Sequence, residues 1–208
     1  MRAIDKAANI AETILSIITG LIAALLLIYS AYVLYDNFYT GQAAFASWNL
    51  LQYKPVMNED DDTVDFDSIS EINPDTAAWL TIYDTNINYP VVQGKDDLEY
   101  AGKDIYGKSS LTGSVYLSSL NKKNFGDNYN IVYGHHMDNG AMFGDIDKYV
   151  DIDFFLSHRK GELLTPEKSY ELTVFACMKT NAYESEIYSV AQKTDLTDVI
   201  DYSELPIV

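Results

Sequence analysis

Proton transfer near neutral pH is the task for which histidine is best suited, and the sequence holds three: His135, His136 and His158. Only the first two sit in a suggestive setting. They follow Gly134 at the end of the strand-like run Asn130 to Tyr133, and a glycine there permits close approach by a substrate. A strand alternates its faces, so Tyr133 and His135 are expected on one side, and Gly134 and His136 on the other. On spacing alone, a histidine pair in a turn is more often structural than catalytic. His158 stands beside Arg159 and Lys160, in what reads as a solvated turn. The second chemical group is the thiol of Cys177, the only cysteine. It lies in the apolar run Val174 to Met178, where burial raises a thiol's pKa and suppresses its reactivity, so it is expected to be an inert core or lining residue. One cysteine makes no internal disulfide, and no clustered cysteines or histidines supply metal-ligand spacing.

The elements that must position these residues are mostly strands. Leu80 to Tyr83, Asn88 to Gln93, Ser114 to Leu117, Asn130 to Tyr133 and Tyr170 to Met178 are rich in β-branched and aromatic residues. Turn chemistry separates them: Gly94 with Lys95 and Asp96, the stretch from Gly107 to Ser110, Gly113, Asn121 to Asn128, and Gly161. Before them, Ile69, Ile72 and Trp79 follow an approximately helical spacing from Phe66, with Ser70 or Asn73 able to cap a turn. A helical interruption is expected from Ala141 to Phe155, with Met142, Ile146, Tyr149 and Val150 on one face. Many short strands with one or two helices predict a mainly β domain, a closed or half-closed β-barrel.

Ahead of this domain, Thr13 to Tyr35 runs 23 residues without a charge. At about 1.5 Å per residue it is long enough to cross a hydrocarbon core of about 30 Å. A signal-peptide core would be shorter, and Gly41, Ala43 and Ala44 make only a weak cleavage site, so an uncleaved anchor is favoured. Lys54 is the first basic residue after the span, which puts the short tail inside and the large domain outside. Tyr29, Tyr32, Tyr35 and Tyr39 then mark the outer boundary, as an interfacial aromatic belt does. The resulting organisation is a cytoplasmic tail over 1–12, a transmembrane helix over 13–35, an extracellular stalk over 36–65 and the β domain over 66–208.

The inner tail carries two charges of each sign, Arg2 and Lys6 against Asp5 and Glu12, so the whole net charge of −17 falls outside. Such a surface argues against nucleic acid, whose affinity rests on Lys and Arg neutralising phosphates. The acidic run Glu59, Asp60, Asp61, Asp62 lacks the spaced carboxylates and turn glycine of a calcium loop and reads as a solvated face.

Several segments, in order, resemble the class B sortases. These are Trp79 and Leu80, then Thr85 to Gln93 (Thr-Asn-Ile-Asn-Tyr-Pro-Val-Val-Gln), then Tyr100 and Gly107, then Gly113 to Tyr116. Most specific is Tyr133-Gly134-His135-His136-Met137, followed by Met142, Phe143 and Tyr149; Phe154, Phe155, His158 and Leu172 to Ala176 continue the pattern. At Ser118 many relatives carry an acidic residue, and no role is attached to it. The resemblance implies a cysteine transpeptidase. A thiolate attacks the carbonyl after the threonine of a sorting signal, a thioester forms, and an amine of the cell wall or of a pilin resolves it. Histidine carries the protons, and arginine helps hold the developing oxyanion. By motif His135 is the acid/base residue, and Tyr133 on its side is the candidate substrate contact. The family uses no organic cofactor.

In relatives the nucleophile closes a Thr-Leu-x-Thr-Cys strand, with the arginine on the next strand, and neither motif occurs in this sequence. Cys177 matches an earlier Val-Phe-Ala strand, and Arg159 matches no catalytic strand. The expectation is therefore a chain that stops before the family's last strands, at Leu205, Pro206, Ile207, Val208, and is inactive by itself. A Thr-Leu-x-Thr-Cys motif about 30–40 residues further along the reading frame would support that expectation. The competing reading is a non-catalytic, membrane-tethered extracellular β-domain that binds peptide or protein partners.

Overall fold

A computed structural model describes residues 2–46, 48–57, 64–189 and 196–203. The acidic run from Glu59 to Asp62 and the last residues, Leu205 to Val208, lie outside the described residues. The chain divides into two compact units, Met1–Gln42 and Ala43–Val208.

The first unit is a helix. Helix α1 spans Arg2–Ala43, and the stretch Asp5–Gln42 within it is long and apolar enough to cross a membrane. Its large side chains, among them Leu25, Leu27, Ile28 and Tyr35, are exposed along the whole length. The few polar groups in the apolar stretch are satisfied within the helix: the hydroxyls of Thr13, Thr19 and Ser30 each donate to the carbonyl four residues back, at 2.8 Å. Hydrocarbon demands that closure of every hydrogen-bonding group.

The second unit opens with the short helix α2 (Trp48–Leu51), the two-stranded pair β1 (Val56–Met57) and β2 (Val64–Asp65), and helix α3 (Asp67–Ile72). Asn73 closes α3 and is buried, its amide donating to the Tyr100 hydroxyl and the Ile105 carbonyl, both at 2.9 Å. Trp79 does not continue the helical stretch. It lies within strand β3 (Thr76–Ile82), where period-two alternation buries its indole completely.

Six strands form one sheet: β3 with β4 (Asn88–Val92), β5 (Val115–Leu117), β6 (Val132–Tyr133), β7 (Lys160–Leu164) and β8 (Ser169–Thr173). Their order is β6-β5-β4-β3-β7-β8, antiparallel except for the β4–β5 pair. The parallel pair needs a long crossover, and residues 93–114 provide it, tucking Tyr100 and Ile105 under the sheet. Among the described residues β6 and β8 each pair on one side only, so the sheet is a curled half-barrel rather than a closed one.

Alternation sorts the core onto two faces. Ala78, Tyr89, Val91, Val115, Leu117 and Leu163 pack on one face; Trp79, Val92 and Leu164 pack on the other with Phe66, Ile69, Tyr100 and Ile105. Strand β7 has no counterpart among the strand-like runs of the sequence, because its first half, Lys160-Gly161-Glu162, carries charges and a glycine. Gly161 is not turn punctuation; it pairs with Ile82 and Leu172, and a Cβ there would strike the Thr81 carbonyl. After Thr173 one more exchange joins Val174 and Arg159, and the chain then leaves the ladder, so the strand ends short of Met178.

The expected helix over 141–155 is instead two short ones, a 3-10 helix (Gly144–Val150) and α4 (Ile152–Ser157). The break falls at Asp151, whose carboxylate accepts from the amides of Asp153 and Phe154 and caps α4. The tighter 3-10 period buries Tyr149 but leaves Val150 87% exposed, so Val150 does not share the core-facing side.

Candidate active site around His135

Strand β6 delivers Tyr133, and the chain then bends through Gly134 into the two histidines. Tyr133, Gly134 and His135 line one cavity of about 180 Å³ with Ala101, Thr112, Ser114 and Tyr116. The cavity lies on the Trp79 face of the sheet, because Tyr116 packs against that cluster while its neighbours Val115 and Leu117 pack on the other side. The rings of Tyr116 and Tyr133, paired across β5 and β6, stand 5.2 Å apart. Burial pushes both phenols above their ordinary range, and the charge of Asp97 adds to the shift in each. Both hydroxyls therefore stay protonated and able to donate. Asp97 is held by the Ser119 amide at 2.6 Å and by the Ser118 hydroxyl at 3.2 Å, so buried Ser118 fixes a carboxylate beside the tyrosines.

His135 is exposed, and His136 turns elsewhere: its Nε2 sits 2.8 Å from the Asp147 carboxylate, an open pair on the surface. Gly134 has a steric reason to be glycine. A Cβ there would lie 2.8 Å from the Phe143 ring. The backbone folds back as a hairpin, the Phe143 amide donating to the His135 carbonyl at 3.0 Å and Met142 bridging to His136.

Cys177 stands in a different place. It lines a cavity of about 330 Å³ with Leu80, Ile82, Phe143, Ile146 and Tyr149. Leu80 and Phe143 pack with the Ala78 cluster, so this cavity opens on the face of the sheet opposite His135. The thiol is not in the core; it is exposed at the cavity's rim and donates to the Ile146 carbonyl at 3.8 Å. Burial of the sulfur against apolar walls pushes its pKa up, and the charge of Asp147 pushes further in that direction. That is the reverse of an activated nucleophile. No hydrogen bond joins Cys177 to His135 among the described residues.

Arg159 and His158 are structural. The Arg159 Nε donates to the Val174 carbonyl at 2.9 Å, and its guanidinium lies over the Phe155 ring. His158 is half-buried rather than a free turn residue: its ring stacks on Phe154 at 3.8 Å and its carbonyl accepts from the Tyr149 hydroxyl. Sequence reasoning missed the contributions of Tyr116 and Asp97. The period-two pattern of Val115, Tyr116 and Leu117 was the signal for the first, whereas nothing local announces that Asp97 reaches Ser118 across the sheet edge. Among the described residues no group of three or more His, Cys, Asp or Glu side chains is placed to hold a metal ion.

No protein-family model matches the chain. It is 34% identical over 134 residues to sortase B of Listeria monocytogenes serovar 1/2a, a match spanning 64% of this chain and about half of that protein, 54%. Among solved structures it resembles a Streptococcus pyogenes class B sortase involved in pilus biogenesis, with a TM-score of 0.61 and 34% identity over 69% of this chain and 83% of that one. A Staphylococcus aureus sortase B–substrate complex gives a TM-score of 0.61 at 26% identity, over 69% of this chain and 70% of that one. The half-barrel order of strands, the Tyr-Gly-His-His-Met hairpin beside a tyrosine-lined cavity, and these likenesses converge: the chain belongs to the class B sortases.

Proposed function

We propose that this protein is a membrane-anchored component of sortase transpeptidation, held by α1 with its β domain outside the cell, and that His135 is its proton carrier. The observation that supports the reading is the single cavity lined by Tyr133, Gly134 and His135, in a fold shared with class B sortases. A sorting-signal peptide laid along Tyr116 and Tyr133 brings its scissile amide to His135, which protonates the departing amine and deprotonates the entering one. The Staphylococcus aureus relative has been solved with substrate, which supports a peptide of that class; the acceptor is an amine of the cell wall or of a pilin. Tyr116 and Tyr133, kept protonated, donate to peptide carbonyls.

Cys177 is not the thiolate of this chemistry. It sits on the opposite face, its pKa is raised, and it is the only cysteine in the sequence. These 208 residues by themselves are therefore expected to bind sorting peptide without turning it over. The test is a peptide cleavage and amine-transfer assay followed by mass spectrometry, with wild type beside Cys177→Ala. No product from either supports the assignment; product from wild type that Cys177→Ala abolishes moves the nucleophile to Cys177.

A further inference from the structure

We propose that Tyr89 is a positioning residue for His135, acting through the hairpin that carries it. The proposal deepens the proton-carrier reading of His135 and rests on it. The His135 ring has no hydrogen-bond partner among the described residues, so its place is set by backbone. That backbone is held from the returning limb: the Phe143 amide donates to the His135 carbonyl at 3.0 Å, and Met142 bridges to His136. Met142 adopts φ +53° and is buried, a left-handed conformation that a side chain of its size disfavours. Something must hold it there, and the Met142 amide donates to the Tyr89 hydroxyl at 2.9 Å.

Tyr89 is well suited to that role. It is buried in β4, a central strand paired on both sides, so its ring is fixed. Its hydroxyl donates to the Ala44 carbonyl at 3.1 Å, which leaves the oxygen lone pairs aimed at Met142. Just beyond the hairpin, the Asp145 carboxylate accepts from the Asn86 amide at 2.8 Å and ties the start of the 3-10 helix to the β3–β4 turn. Among the described residues, hydrogen bonds to the β3–β4 unit thus hold Met142 and Asp145, and the Met142 bond falls on the limb that pairs with His135.

The experiment uses the full chain in detergent micelles and compares wild type with Tyr89→Phe, which keeps the ring and removes the hydroxyl. Hydrogen exchange at the Met142 and Phe143 amides is expected to accelerate about fivefold or more, the loss of one buried hydrogen bond. The His135 ring resonances are expected to shift and broaden, while those of His158 on α4 stay in place. Tyr89→Phe with unchanged His135 resonances and unchanged Phe143 exchange overturns the proposal, whether or not melting falls, since a merely structural hydroxyl would move only the melting temperature. Should the variant not fold, exchange in wild type decides: a Met142 amide exchanging at open-chain rates overturns the brace, and a protected one supports it. Titration of wild type with a sorting-signal peptide separates this proposal from the reading beneath it. A silent His135 ring there removes the substrate role of the site, while the effect of Tyr89→Phe on the hairpin would stand independently.

Discussion

Two cavities lie on opposite faces of the sheet, and their walls differ in polarity. The one that His135 lines is walled by Ser114, Thr112 and two phenols, with a fixed carboxylate nearby. The one that Cys177 lines is walled by Leu80, Ile82, Ile87, Ile146 and Val174. Polar walls keep donors and acceptors available to a peptide; apolar walls raise the thiol's pKa and leave it protonated. What separates them is the two-residue period of a strand. Tyr116 and Leu117 are neighbours in sequence and stand on opposite faces, and the two most reactive side-chain types in the chain follow that division. A thiol and an imidazole in one small domain need not form a pair.

The largest expected effect is kinetic. On the proposed proton-carrier role, His135→Ala should lower any sorting-peptide turnover by about 10²–10⁴-fold, the usual contribution of a placed proton carrier, with little loss of melting temperature. His136→Ala should do far less, because its pair with Asp147 is open to water and worth at most about 1 kcal/mol. The reverse pattern in folded proteins would exchange the two histidines' roles.

Next in size is the partition between the cavities. Gly134→Ala drives a Cβ to within 2.8 Å of the Phe143 ring, so the ring must move toward the Cys177 cavity or the hairpin must open. A loss of roughly 1–3 kcal/mol is expected from such overpacking, read by chemical denaturation. A neutral result would show that Phe143 has room to yield.

A smaller and pH-dependent effect comes from Asp145. Its burial raises the carboxyl pKa, but hydrogen bonds from the Lys148 ammonium and the Asn86 amide, with the Lys148 charge, bring it net below the ordinary value. A depressed folded pKa means stability that is present above the unfolded value of about 3.9 and lost as pH falls through the lower folded value. Melting should therefore drop in acid below about pH 4, and Asp145→Asn should flatten that drop while costing about 1.5 kcal/mol at neutral pH. An unchanged acid profile in Asp145→Asn would assign the acid sensitivity to other carboxylates.

Much of this was legible in residue order. Runs of β-branched and aromatic residues announced β4, β5 and the second half of β3, and the histidine pair after Gly134 stood out in residue order as the candidate acid/base segment. What was not legible has physical causes. The 3-10 turn and the Asp151 cap broke one expected helix into two, since a side-chain cap outweighs apolar spacing over so few residues. Strand β7 hid behind Lys160, Gly161 and Glu162, because a strand chosen by close backbone approach carries no hydrophobic pattern. Of the two places the sequence left open for Cys177, core or lining, the structure takes the second, and local composition could not choose because it gives the neighbours of a thiol and not its distance to solvent.

Photo-crosslinking tests the division between the two cavities most directly. A sorting-signal peptide carrying a photoreactive group near its scissile bond, bound to the full chain and irradiated, reports where substrate rests. Adducts are expected on the segments of Tyr116, Tyr133 and His135, lost when unlabelled peptide competes. Adducts on Ile146 and the Val174 to Met178 segment instead would place substrate on the thiol's face and contradict that expectation.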